Sequence, residues 1–201
     1  LVPRAMCLTD ARAGFDDHEK ASREGKQFSL AGRVMAIRGQ GAIQFVVLDD
    51  GARFQTVFKK DELSADKFSL FADAVDVGDH ISVTGTFFKT ERGEPSLLAK
   101  DWTMASKSLL PLPDKWHGLQ DVDERFRKRY LDFIMNPETR DLFQKKAKFW
   151  KIVRNMLEEN SFVEVETPTL ELTTGGAEAT PFKTHHNDYD LDVFLRISVG
   201  E

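Results

Sequence analysis

The feature that most constrains the fold is a series of five strand-like segments, with one helical stretch, within residues 28–104. Turn residues separate the segments, and Asp49-Asp50-Gly51 is a signal typical of a hairpin between antiparallel strands. We expect strands at 28–38, 42–48, 53–58, 81–89 and 96–104, and a helix at 60–72. The order β-β-β-α-β-β predicts a five-stranded OB-fold β-barrel of the kind that binds oligonucleotides.

Composition limits the class of protein. The 201 residues are 41% hydrophobic and 30% charged, which is typical of a globular chain with one or two domains. A single cysteine, Cys7, excludes an internal disulfide framework and suits the cytoplasm. No apolar run approaches the roughly 20 residues of a membrane helix. Leu1-Val2-Pro3-Arg4 resembles a thrombin site, so we interpret residues 1–6 as vector-derived and residues 7–27 as an N-terminal extension.

The second half of the chain is predicted to contain two helices. A linker at 105–120 carries two prolines that neither a helix nor a central strand tolerates, and 121–133 has helical spacing. Asn136-Pro137-Glu138 then begins a helix at 137–159. Its apolar side chains recur at helical spacing and predict a core-facing stripe: Leu142, Phe149, Trp150, Val153, Met156 and Leu157.

Charge is unevenly distributed in this half. The net charge is −5, yet residues 125–154 hold ten Lys and Arg against three Asp and Glu. An acidic average does not exclude an RNA partner, because phosphates respond to local basic surface. The alternative interpretation is that these basic residues form a solvated helix face.

The C-terminal forty residues contain the most specific pattern. Alternation at 162–166 predicts a strand that stops at Thr167-Pro168, and Phe194–Ser198 predicts another. Between them lie Gly175-Gly176-Ala177, where glycine permits positive φ and close approach to a ligand. His185-His186 stands beside several aspartates, but adjacent histidines on a strand point apart. We therefore expect no metal site.

These motifs resemble those of class II aminoacyl-tRNA synthetases. The run GGAxAxPFxTHHN and the hinge LLPLPDKWHGLQD are similar to lysyl-tRNA synthetases of subclass IIb in particular. The resemblance covers residues 28–201. It implies an OB-fold anticodon-binding domain at 28–104, the linker at 105–120, and the N-terminal part of an antiparallel-sheet catalytic domain at 121–201, an α+β protein as a whole.

The resemblance also assigns roles to individual residues. It implies that Arg38, Phe45 and Gln55 read the anticodon, with Phe45 stacking on a base and the Gln55 amide reading a base edge. Alternation with Ile43 and Val47, taken alone, instead favours a core position for Phe45.

Two further sites follow from the same resemblance. The Gly176 carbonyl and the Glu201 carboxylate are expected to bind lysine, and Gly175, Gly176 and Ala177 to form a flexible substrate loop. Motif 1 of the family, matched here by the helix at 137–159 and the strand that ends at Pro168, implies a homodimer interface that includes Phe149, Trp150 and Pro168.

The implied activity is a cytoplasmic lysine–tRNA ligase that uses ATP and Mg²⁺ and acts on tRNA(Lys). We expect three features of the family beyond Glu201: the arginine of motif 2 that binds ATP, motif 3, and the carboxylates that bind Mg²⁺. We therefore assign no catalytic residue to this segment and expect it to be inactive alone. Two alternatives stay open: an aspartyl- or asparaginyl-tRNA synthetase, and a non-catalytic OB-fold RNA-binding protein.

Overall fold

The computed structural model describes residues 2–39, 41–113, 119 and 121–199. The chain forms two compact units that divide between Leu131 and Asp132. Within the described residues, no helix is long and apolar enough to cross a membrane. The elements of the first unit are α1 (Leu8–Ala13), α2 (Phe15–Arg23), β1 (Phe28–Arg38), β2 (Ile43–Asp49), β3 (Arg53–Lys59), α3 (Ala65–Ala74), β4 (His80–Lys89), β5 (Pro95–Ser106) and α4 (Val122–Arg127).

Strands β1 to β5 close into a barrel in the order β1-β2-β3-β5-β4. The first half of β1 pairs with β4 and its second half pairs with β2, so this one strand joins both ends of the sheet. A β-bulge between Val34 and Ala36 marks the change, as bulges do where a strand bends. Strand β5 then runs parallel to β3 and antiparallel to β4. The predicted OB-fold barrel is confirmed.

One position shows how closely these backbones approach. A Cβ atom added at Gly85 on β4 would lie 1.9 Å from the Leu98 carbonyl oxygen on β5. Only glycine fits there without moving the strand.

The barrel core is aromatic. Phe87 lies within 6 Å, centroid to centroid, of the rings of Phe15, Phe28 and Phe54. A second cluster stacks Phe58 on Phe71 of α3 at 3.9 Å. Helix α3 begins at Ala65, later than the predicted residue 60, because the Ser64 hydroxyl caps it by accepting from the Lys67 N–H.

The N-terminal extension belongs to this core. Helices α1 and α2 contribute Leu8, Ala11 and Phe15 to the buried cluster of the barrel. Residues that we interpret as vector-derived also contact the barrel, since Met6 packs against this cluster and Arg4 pairs with Asp50 at 2.7 Å.

A buried carboxylate ties the linker to the barrel. Asp79, fully buried at the start of β4, accepts hydrogen bonds from the Asp76 N–H, the Lys107 ammonium and the Ser108 N–H at 2.7–2.8 Å. Burial alone raises the pKa of Asp79, but these hydrogen bonds outweigh it and hold the pKa below its usual range. The carboxylate thus fixes the direction in which the chain leaves β5.

The second unit contains one long helix and a small antiparallel sheet of order β6-β8-β7. Its elements are α6 (Pro137–Glu159), β6 (Leu170–Glu171), β7 (Lys183–His186) and β8 (Leu191–Leu195), while α5 (Arg129–Met135) spans the boundary between the units. Helix α6 has the predicted bounds. Its stripe is mostly exposed in this chain rather than in a core, with Phe149 58% and Trp150 52% accessible.

Three predictions for the second half were wrong. The predicted helix 121–133 is interrupted at Lys128, whose ψ of 52° lies outside the helical range. Residues 162–166 form no strand, because no described segment pairs with them, and Phe162 is 64% exposed. The predicted strand Phe194–Ser198 instead ends at Leu195, because β7 pairs only with 191–194 and β6 only with 194–195.

We predict that Asp79→Asn lowers the free energy of unfolding of the barrel by about 2–3 kcal/mol, because charge-assisted hydrogen bonds inside the protein are lost. The difference in unfolding free energy between the parent chain and Asp79→Asn should have its full value above the unfolded pKa of about 3.9. It should shrink as the pH falls through the lower pKa of the folded state. Urea titrations followed by Trp102 fluorescence, with Trp116 and Trp150 replaced by Phe in all variants, measure both effects.

Asp76→Asn is the matched control. Asp76 shares Lys107 with Asp79, but its side chain is 76% exposed, so its loss should cost about 0.5 kcal/mol or less. Equal losses from the two substitutions would contradict the role given to Asp79.

Candidate nucleic-acid interface

Three neighbouring strands bring the predicted anticodon residues onto one face of the barrel. Arg38, at the end of β1, lies opposite Phe45 of β2. Phe45 lies opposite Val57 of β3, and Gln55 is two residues before Val57 on the same face. Arg38, Phe45 and Gln55 all line one cleft.

Gly39 allows this arrangement at the end of β1. Its φ is 116°, in the region that favours glycine, and an added Cβ would lie 2.4 Å from the Ile43 carbonyl oxygen. The turn can therefore return the chain directly from Arg38 to β2.

Phe45 points outward. On β2 the buried side chains are Val46 and Leu48, whereas Phe45 and Val47 are only partly buried. Alternation placed Ile43, Phe45 and Val47 on one face correctly, but that face is the outer one. The core interpretation of Phe45 is wrong, because the inner face is filled by its neighbours.

The cleft is open and has a volume of about 720 Å³. Val57 is buried and contributes to its lining, together with residues that the sequence analysis did not single out: Lys59, Phe88, Lys89, Thr90, Glu91, Arg92 and Glu94. Phe88 is partly buried and follows the buried Phe87. Because side chains alternate along a strand, the pair Phe87-Phe88 could have predicted that one of the two rings faces outward.

Charge in the cleft favours an anion. Arg38, Lys59, Lys89 and Arg92 line it against two carboxylates, Glu91 and Glu94. Lys89 lies 3.0 Å from Asp16, and Glu94 lies 3.7 Å from Arg12. The Lys59 ammonium lies 6.0 Å from the centre of the Phe88 ring. Cations beside aromatic rings are the combination that binds single-stranded nucleic acid.

The Gln55 amide is held by a polar partner. Its Nε2 donates to the Ser96 hydroxyl at 2.8 Å, and that hydroxyl donates to the Glu94 carbonyl at 3.1 Å. Gln55 is partly buried, so the amide is at once anchored and accessible from the cleft.

Of the residues expected to bind lysine, the structure describes Gly176. Gly175, Gly176 and Ala177 are exposed, and Gly176 has the positive φ that the sequence allows, at 81°. Glu201 lies outside the described residues. His185 contacts Asp190 and Asp192.

Asp192 in the same sheet is also paired with a lysine. Hydrogen bonds, first from Lys183 at 2.6 Å and then from His185, hold the pKa of Asp192 below its usual range. Asp192 is therefore engaged in an ion pair with Lys183 and in a contact with His185.

Comparison with known proteins identifies both halves of the chain. Residues 28–105 match the OB-fold nucleic acid binding domain, and residues 121–200 match the tRNA synthetases class II (D, K and N). The chain belongs to the class II tRNA synthetases.

Similar members of this family are lysine–tRNA ligases. Over 170 residues the chain is 48% identical to the enzyme of Synechococcus sp. (strain RCC307), covering 85% of this chain and 34% of that protein. It is 45% identical over 177 residues to that of Moorella thermoacetica, covering 88% and 36%. The chain thus spans about a third of the length of these curated relatives.

We predict that Phe45→Ala weakens binding of an anticodon stem-loop RNA by about 1–3 kcal/mol, because a base loses its stacking partner. Titration of fluorescent RNA at fixed salt measures the change, and circular dichroism confirms that the barrel is intact. Leu70→Ala is the control, since Leu70 is a large exposed side chain of α3 that does not line the cleft. Equal affinity of Phe45→Ala and the parent chain would contradict the stacking role.

Proposed function

We propose that this chain is the anticodon-binding and motif 1 portion of a lysine–tRNA ligase. Such an enzyme activates lysine with ATP and transfers it to tRNA(Lys). The observation that carries the proposal is the single cleft lined by Arg38, Phe45 and Gln55, in a family member 48% identical to a lysine–tRNA ligase.

In the proposed complex, each side chain of the cleft has a separate task. Phe45 stacks on an anticodon base, and Gln55 reads the edge of that base with its amide. Arg38 and Lys59 attract the phosphates, which contribute affinity without sequence information. The cleft therefore selects the tRNA, while the amino acid is selected elsewhere.

The lysine contacts are proposed from the family resemblance. The Gly176 carbonyl would accept from the substrate amino group, and Glu201 would pair with its α-ammonium, because a desolvated cation needs an opposite charge. No group of three or more His, Cys, Asp or Glu side chains among the described residues is arranged to hold Mg²⁺. We assign no step of the reaction to this chain, and place the ATP and Mg²⁺ sites in the remainder of the ligase.

The family model alone covers aspartate, lysine and asparagine enzymes. The names of the relatives favour lysine among these three. The loop Gly175-Gly176-Ala177 favours it too, because aspartate enzymes usually carry an acid-flanked loop in this place. A single cysteine suits the cytoplasm as the proposed location.

We also propose that the ligase is a homodimer through α6 and the segment ending at Pro168. The exposed stripe of α6 supports this, since Phe149 and Trp150 present large apolar side chains with ring centres 5.4 Å apart. Exposed apolar patches of this kind mark interaction surfaces. Motif 1 implies that a second copy of the chain covers this apolar stripe.

We predict that the full-length ligase exchanges pyrophosphate into ATP in the presence of lysine and not with aspartate or asparagine. The 201-residue chain alone should show no exchange with any of the three. Activation of another amino acid, with lysine inert, would overturn the proposed function. No exchange with any amino acid, despite a folded full-length protein, would favour the non-catalytic RNA-binding alternative.

We predict that sedimentation of the full-length protein at micromolar concentration gives twice the monomer mass, and that Trp150→Glu yields the monomer. A charge in an apolar interface costs several kcal/mol, enough to dissociate it. Asn155→Glu is the matched control, because it adds the same charge on the opposite face of α6. A strictly monomeric parent, or equal dissociation by both variants, would contradict the interface.

A further inference from the structure

Ser96 lies directly beside the base-reading amide. It is fully buried near the start of β5, opposite Gln55 in the parallel pairing of β3 with β5. Its hydroxyl oxygen is 2.8 Å from Gln55 Nε2 and 3.1 Å from the Glu94 carbonyl oxygen. Ser96 therefore joins the amide to the backbone of the barrel.

The direction of these bonds follows from the number of protons. A serine hydroxyl has one proton and can accept through its lone pairs. Because a carbonyl oxygen only accepts, the proton of Ser96 is donated to Glu94. The hydroxyl can then only accept from Gln55, so the NH₂ group of the amide must face Ser96.

This fixes the opposite end of the amide as well. A reversed amide would set its Oε1 against the hydroxyl oxygen, or force Ser96 to abandon the Glu94 carbonyl, and either change loses a buried hydrogen bond. With one N–H held by Ser96, Gln55 offers a ligand its Oε1 acceptor and its second N–H in an order that the amide cannot reverse.

We propose that Ser96 is a positioning residue that fixes the Gln55 amide, so that the cleft prefers a base with a ring N–H donor over one with a ring-nitrogen acceptor. Uracil has this donor at N3, whereas cytosine, of the same size, has a lone pair there. An amide free to rotate would satisfy either base. The proposal rests on the proposed function, since it assumes that RNA enters this cleft.

The test uses two RNA hairpins with a seven-nucleotide loop, identical except for uridine or cytidine at the middle position of the loop. Dissociation constants are measured for the parent chain, Ser96→Ala, Gln55→Ala and the double variant. The parent should prefer the uridine hairpin. Ser96→Ala should lower this preference about fivefold, roughly the effect of one hydrogen bond. In the Gln55→Ala background, Ser96→Ala should leave the preference unchanged.

Ser96→Thr keeps the hydroxyl and should retain the preference. A second measurement needs no RNA: the side-chain amide signals of Gln55 in a ¹⁵N–¹H spectrum should shift in Ser96→Ala, while the backbone signals of the barrel core stay in place. This readout separates orientation of the amide from a general loss of structure.

Two results distinguish the proposal from the function on which it rests. The proposal is overturned, and the proposed function stands, if Ser96→Ala keeps the full preference for uridine. The same holds if Ser96→Ala lowers this preference as much in the Gln55→Ala variant as in the parent chain. If the parent chain binds neither hairpin, the proposed function fails and the proposal fails with it.

Discussion

Closure of the barrel depends on β1, which pairs with β4 along its first half and with β2 along its second half. Closure assigns every side chain of the five strands to the inside or the outside. Val46 and Leu48 fill the interior, and Phe45, the neighbour of Val46, must face the solvent. Because β3 also pairs with β5, the same closure places Ser96 beside Gln55. The cleft is a consequence of strand pairing.

Much of the barrel could be predicted from the sequence, because alternation and turn residues are local signals. The first strand has the predicted bounds, and the others differ by one or two residues. Phe45 shows the limit: alternation tells which residues share a face, but not which face is buried. That choice is made by contacts between distant strands, such as that of Phe87 on β4 with Phe54 on β3. The role of Ser96 depends on the same distant pairing.

The second unit was harder to predict because the described residues neither pair with 162–166 nor cover the apolar stripe of α6. Residues 162–166 alternate like a strand, yet no described segment pairs with them as a neighbouring strand. The stripe on α6 has the spacing of a core helix and is mostly exposed. The chain spans about a third of the length of its relatives, and the exposed stripe is consistent with the proposed homodimer.

In the proposed complex, RNA binds the cleft and not the basic residues of α6. Titration of the ¹⁵N-labelled chain with the uridine hairpin tests this most directly, since each backbone amide reports its own environment. The account predicts that the largest shifts fall on Arg38, Phe45, Gln55 and the segment 88–94. Largest shifts along 137–159, with the cleft unchanged, would contradict it.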